Sequence, residues 1–87
     1  MNIFYHQRFK KAYAKLPFET RLKAEKCEIL FLANPFDARL NTHKLHGKLK
    51  SKWSFSVDNR FRIVFEFERQ DRSNVIFLDI GDHDLYR

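Results

Sequence analysis

The densest chemistry in the sequence lies in residues 39–52, RLNTHKLHGKLKSK, which carry five Lys or Arg, two histidines and no acid. A single-sign cluster is costly to hold on a surface unless a polyanion neutralises it, so this run reads as a footprint for phosphates. His43 and His46, three residues apart, also have a spacing that metal ligands use, with Asp82 and Asp84 as conceivable partners. Against that reading stand the single cysteine and the lack of a second paired motif. Near the other end His83 lies between Asp82 and Asp84, carboxylates that favour the protonated imidazole and suit it to donate a proton. Ser54 and His83 could form a nucleophilic pair, but no oxyanion motif accompanies them. Cys27 has no basic neighbourhood in the sequence and reads as inert.

These groups need elements to hold them. Ile3–Tyr5 is a short apolar start suited to an edge strand. From Gln7, the residues Phe9, Ala12, Tyr13 and Leu16 recur at helical spacing. Leu16-Pro17 stops that helix, because a residue before proline is pushed out of the helical region. Pro17 suits the first turn of a second helix, which runs to Ala33 before Asn34-Pro35. On this helix Phe18, Leu22, Ile29, Leu32 and Ala33 share one stripe, with Leu30 at its edge. Cys27 and Phe31 fall off it, which implies a second contact face. The two helices make an antiparallel hairpin. Residues 34–52 read as a long basic connection.

Alternation follows. Trp53, Phe55 and Val57 point one way and Ser54 and Ser56 the other; Phe61, Ile63, Phe65 and Phe67 alternate with Arg62, Val64, Glu66 and Glu68. A two-residue turn would place arginines opposite the aromatics. A three-residue turn over Asp58-Asn59-Arg60 pairs Val57 with Phe61, Phe55 with Ile63 and Trp53 with Phe65. Such a turn calls for a left-handed residue at Asn59 or Arg60. The third strand, Val75–Ile80, would turn Ile76, Leu78 and Ile80 to the core. Ser54, Ser56, Arg62, Val64, Phe77 and Asp79 would then gather on the opposite face, as the floor of a groove beside 39–52. Arg62 could pair with Asp79 across strands or clamp a phosphate, and Phe77 could stack on a base.

The chain has 87 residues, of which 44% are hydrophobic and ten are Phe, enough for one domain, 1–87, that buries about 60–65% of its unfolded surface. The net charge of +6 is uneven: residues 1–52 hold 12 Lys/Arg against 4 acids, and 53–87 hold 5 against 7. No apolar run approaches the roughly 20 residues of a membrane span. MNIFYHQRFKK shows neither an apolar signal core nor a cleavage site, and one cysteine makes no internal disulfide. A cytoplasmic α+β domain, with no membrane partner, is expected.

Four segments together, FKKAYAKLP, NPFDARLNTHKLHGKLKSKWSFSV, NRFRIVFEF and FLDIGDHDLYR, resemble the RelE/ParE superfamily of bacterial type II toxins over essentially the whole chain. HKLHGKL, RFRIVF and DIGDHDLY are the most specific parts. The resemblance implies a RelE-like fold, an αα-hairpin packed on a twisted antiparallel sheet, and a cognate antitoxin. It implies ribosome-dependent cleavage of mRNA with no cofactor, or in a minority branch inhibition of DNA gyrase; an inactive RelE-fold binding module is a third reading. It places Arg62 as a phosphate-binding arginine, His43 and His83 as the histidines of YafQ-like members, and Tyr86 close to the terminal aromatic. Lys44, Lys48, Lys50, Lys52, Arg60 and Phe77 are the candidates for contacts with rRNA and mRNA. The first strand departs from the family: Ser54 and Ser56 stand where RelE has lysines, so Lys48, Lys50 and Lys52 would supply that charge.

Overall fold

The computed structural model describes residues 1–86, apart from the side chains of His83 and Tyr86. Strand β1 (Asn2–Tyr5) leads into helix α1 (Gln7–Ala14) and helix α2 (Phe18–Ala33), then β2 (His43–Lys44), β3 (Trp53–Ser56), β4 (Arg62–Phe67) and β5 (Asn74–Gly81). Short 3₁₀ turns occupy Ala38–Leu40, Gly47–Leu49 and His83–Tyr86. The five strands form one sheet in the order β1-β5-β4-β3-β2. Strands β2 to β5 are antiparallel, whereas β1 joins the edge of β5 in parallel, so the sheet is mixed.

Local signals start and stop the helices. The His6 ring caps α1 by accepting from the Arg8 amide at 3.0 Å, and Pro17 occupies the cap position of α2. Both helices lie over one face of the sheet, where Phe31 of α2 meets Phe55, Phe65 and Phe77 at ring separations of 5.1, 5.0 and 5.3 Å. Phe9 of α1 packs on Phe77 from the other side at 5.6 Å. Edge-to-face and offset contacts of this kind tie the core to specific side-chain positions.

The β3–β4 hairpin has the register that alternation demands: Trp53 faces Phe65, Phe55 faces Ile63, and the Val57 amide reaches the Phe61 carbonyl at 2.9 Å. Its turn is made differently from the expectation. Neither Asn59 nor Arg60 is left-handed; among the described non-glycine residues only Asn41 is. The Asp58 carboxylate instead accepts from the amides of Arg60 and Phe61 at 2.9 and 2.7 Å, bending the chain with side-chain hydrogen bonds.

Two faces are inverted relative to the sequence reading. On α2 the core side is Thr20, Ala24, Cys27 and Phe31, while Phe18 (64% exposed), Leu22, Ile29 (68%) and Leu32 look into solvent. The helix is apolar on opposite sides, and its larger stripe is the outer one. On β5 the residues Val75, Phe77 and Ile80 are buried. A bulge at Leu78, between the Phe65–Phe77 and Val64–Asp79 pairs, adds one residue and reverses the inward parity along the strand. Phe77, expected on the open face, is therefore a core residue at 1% exposure.

Residues 34–52 are structured rather than a plain loop. Asp37 caps the first 3₁₀ turn at the Arg39 amide and binds the Arg39 guanidinium at 2.8 Å, which holds its carboxyl down to about 2. Leu40, fully buried, anchors this turn in the main core. Thr42 Oγ1 donates to the Pro35 carbonyl, and the Leu45 amide donates to the Lys52 carbonyl at 2.9 Å. The segment folds back as β2 and places His43 and Lys44 on the open edge of β3.

Candidate functional site

Strand pairing brings the site together. His43 lies opposite Ser54, and Ser54 opposite Val64; Ser56 lies opposite Arg62, and Arg62 opposite Gly81. Directly opposed residues share a face, and so do residues two apart on a strand. His43, Ser54, Ser56 and Arg62 thus share the face away from the helices. The backbones of His43 and Arg62 are two strands across and two residues along, a separation of roughly 12 Å. Lys52, two residues before Ser54, belongs to the same face.

Gly81 brings the last turn to Arg62. A Cβ there would come within 2.9 Å of the Leu85 side chain, so the absent side chain lets the 83–86 turn settle close to the end of β5. His83 follows two residues after Gly81, the strand partner of Arg62, at the start of that turn. The His83 and Tyr86 side chains lie outside the described residues.

Arg62 is half-buried and, among the described residues, forms no ion pair; the alternative partner Asp79 is aligned with Val64 instead and accepts from the Ile80 amide at 2.9 Å. A cation held on a strand without a counter-charge is an anion receptor in waiting. His43 is exposed, with its Nδ1 3.1 Å from the Asn41 carbonyl, a contact that turns Nε2 outward. Lys52 lies 3.9 Å from Glu66, a loose pair that leaves its ammonium free to move.

Ser54 cannot take part in chemistry with a substrate, since it is completely buried. The open part of this face is a small cleft of about 90 Å³ with Leu49, Val64, Leu78 and Leu85 for walls and Arg8, Lys52 and Asp79 at its rim. Arg8 was missed in the sequence. It stands in the first turn of α1, and nothing in its spacing connects it with residues 52 or 79.

The other candidates separate. Lys48 and Lys50 are exposed at the second 3₁₀ turn, on the same flank as Lys52. Arg60 stands over the Phe61 ring at 5.1 Å in the hairpin turn. Lys44 points to the opposite face from His43, with its ammonium 6.0 Å from the Trp53 ring centre. Among the described residues no group of His, Cys, Asp and Glu could hold a metal ion. Burial, with Asp58 adding to it, pushes the Cys27 thiol up, and its sulfur contacts the Val57 carbonyl at 3.6 Å, so it is not poised as a nucleophile. No described helix is long and apolar enough to cross a membrane.

No family model matches the chain, and no curated protein does. Solved structures match over nearly its whole length. YafQ from E. coli strain BL21(DE3) is 19% identical with a TM-score of 0.75, covering 98% of this chain and 96% of its own. A YoeB/ParE toxin from Agrobacterium tumefaciens is 14% identical with a TM-score of 0.79, covering 95% and 99%. The archaeal RelE in the RelE–RelB complex from Pyrococcus horikoshii OT3 is 14% identical with a TM-score of 0.75, covering 97% and 96%. The two helices on a five-stranded mixed sheet are the fold of RelE-like toxins.

Proposed function

We propose that this chain, which has the fold of the RelE/ParE superfamily toxins, is the toxin of a type II toxin–antitoxin pair and cuts mRNA in the cytoplasm on the ribosome. The observation that carries the reading is Arg62: a guanidinium with no ion-pair partner among the described residues, on the same open face as His43 and opposite Gly81, two residues before His83. In the reaction the RNA 2′-hydroxyl attacks the adjacent phosphorus and the bond to the 5′-oxygen breaks, leaving a 2′,3′-cyclic phosphate and a free 5′-hydroxyl. The 2′-proton goes to a base and the leaving oxygen receives a proton from an acid. Arg62 stabilises the charge on the equatorial oxygens, and His43 and His83 are assigned the two protons. Lys52 and Arg8 add positive charge at the cleft, while Lys48, Lys50 and Arg60 reach rRNA.

Adding the pure protein to programmed ribosomes and mapping the mRNA ends tests this. Upstream fragments should end in a 2′,3′-cyclic phosphate. Arg62→Ala should slow cleavage by ~10²–10³, and His43→Ala by ~10²–10⁴, with folding and ribosome binding retained. Growth arrest with trapped gyrase–DNA complexes and uncut mRNA would establish instead the gyrase-inhibitor reading, which the buried Ser54 favours by removing one outward position on β3.

The partner that silences the toxin would cover the outer stripe of α2. Phe18, Leu22, Ile29 and Leu32 together expose on the order of 400 Å² of apolar surface, at the scale of a monomer's largest patch. Phe31, which falls off the main stripe in the sequence, is on the inner side. An antitoxin helix laid along α2 accounts for the stripe, and Ile29→Asp should weaken its binding by at least tenfold without unfolding the toxin.

A further inference from the structure

On the opposite face from Arg62, β2, β3 and the β4–β5 loop border a second, shallow cleft of about 320 Å³. Its base is aromatic: Trp53 and Phe67 meet edge to face at 5.9 Å, and the exposed ring of Phe36 packs edge-on to Trp53 at 5.4 Å. Its rim is cationic. The Lys44 ammonium stands 6.0 Å from the Trp53 ring centre, the Arg72 guanidinium 4.3 Å from that of Phe67, and Arg69 completes the set. None of the three cations has an ion-pair partner among the described residues. The single acid there, Glu68, accepts from the Asn74 side-chain amide at 2.8 Å.

Three like charges around a half-exposed aromatic cluster repel one another, and only an anion relieves them. An acidic peptide would meet the charge, but would have to supply apolar side chains in register as well to meet the rings. A nucleotide satisfies both: its base stacks on an aromatic face, its phosphates meet Lys and Arg, and the cleft has the volume of one nucleotide unit. We infer that this cleft is a second RNA-binding site, which holds an unpaired base and its flanking phosphates on the face opposite the cleavage site. It deepens the proposed action on RNA, yet needs no catalysis by Arg62 or the histidines. A strand gripped there would be fixed on the toxin independently of the strand being cut.

Trp53 is the one tryptophan in the chain, so its fluorescence reports this cleft directly. The probe is a 2′-O-methylated hexa-adenylate, which cannot undergo 2′-hydroxyl attack, titrated into the purified protein. Quenching of Trp53 is expected, with affinity falling roughly tenfold between 50 and 200 mM salt for about three phosphate contacts. Arg69→Glu with Arg72→Glu should weaken binding at least tenfold while the circular dichroism stays unchanged, because both residues are exposed in a loop. Arg62→Ala should leave the quench in place. Absence of quenching, equal affinity in the double variant, or equal quenching by hexaglutamate would overturn the site. Ribosomal cleavage that persists when quenching fails would remove this cleft alone; quenching that persists without cleavage supports the cleft and removes only the catalytic reading.

Discussion

Helix α2 and the β3–β4 hairpin are both dense in apolar residues, but only the hairpin declares its inward side. In the hairpin every second residue is aromatic or aliphatic, the intervening ones are Ser, Arg and Glu with Val64 the one apolar exception, and the turn length allows one register. In α2 two stripes lie on opposite sides, and the stripe with more large residues, Phe18, Leu22, Ile29 and Leu32, is the exposed one. Periodicity locates an apolar face; it does not say whether the chain itself or another molecule will cover that face. The contrast between these two regions can be broken most forcefully in the core they share. Phe31→Ala and Phe55→Ala should each cost ~3–5 kcal/mol in urea unfolding, which a domain of this size barely tolerates. Ile29→Ala on the outer stripe should stay within ~0.5 kcal/mol. Similar losses at Ile29 and Phe31 would mean that both sides of α2 are covered within the monomer.

Strand β5 sits between those cases. Its apolar run reads as a strand with Ile76, Leu78 and Ile80 on one side; only Ile80 keeps that place, because the extra residue at Leu78 reverses the strand before it. A bulge leaves no mark on hydrophobic alternation when the residues on both sides of the strand are apolar, as Val75–Leu78 all are. Phe77→Ala should therefore be ~2 kcal/mol or more worse than Ile76→Ala, and equal costs would restore the unbulged register.

The same physics decides how much of the site was legible. Arg62 and Ser56 share a face because period-two geometry on β3 and β4 is reliable, and the basic run 39–52 shows up by composition alone. What stayed hidden depends on contacts distant in sequence. Arg8 reaches the cleft only because α1 starts where β1 ends beside β5. Lys44 leaves the groove because residues 43–44 pair with β3 and so acquire a strand's alternation, which two residues cannot advertise. Ser54, expected on the open floor of the groove, is completely buried, which strand alternation cannot reveal. Ser54→Ala should cost about 1 kcal/mol, the worth of a buried polar group's hydrogen bonding, and a neutral result would mean that this hydroxyl meets water in the folded state.

The smallest effect tests what fixes the hairpin register. Asp58 ties both regions together: its carboxylate accepts from the Arg60 and Phe61 amides in the turn and lies 3.5 Å from Lys23 of α2. Burial raises its carboxyl, but those amide hydrogen bonds and Lys23 outweigh it and hold the group below its ordinary value. The folded state thus binds the proton less well than the unfolded chain does. The stabilisation from Asp58 is complete above the ordinary aspartate value of ~3.9 and is lost as pH falls from there through the lower folded value. Asp58→Asn keeps an oxygen for the two amides and removes the titration. Its unfolding midpoint should be close to the parent's at pH 3 and lower at pH 6, because the charge that prefers the folded state is gone. A midpoint difference that is the same at both pH values would show that the turn is held by its backbone alone, and the hairpin's register would then rest on its alternation without help from the carboxylate.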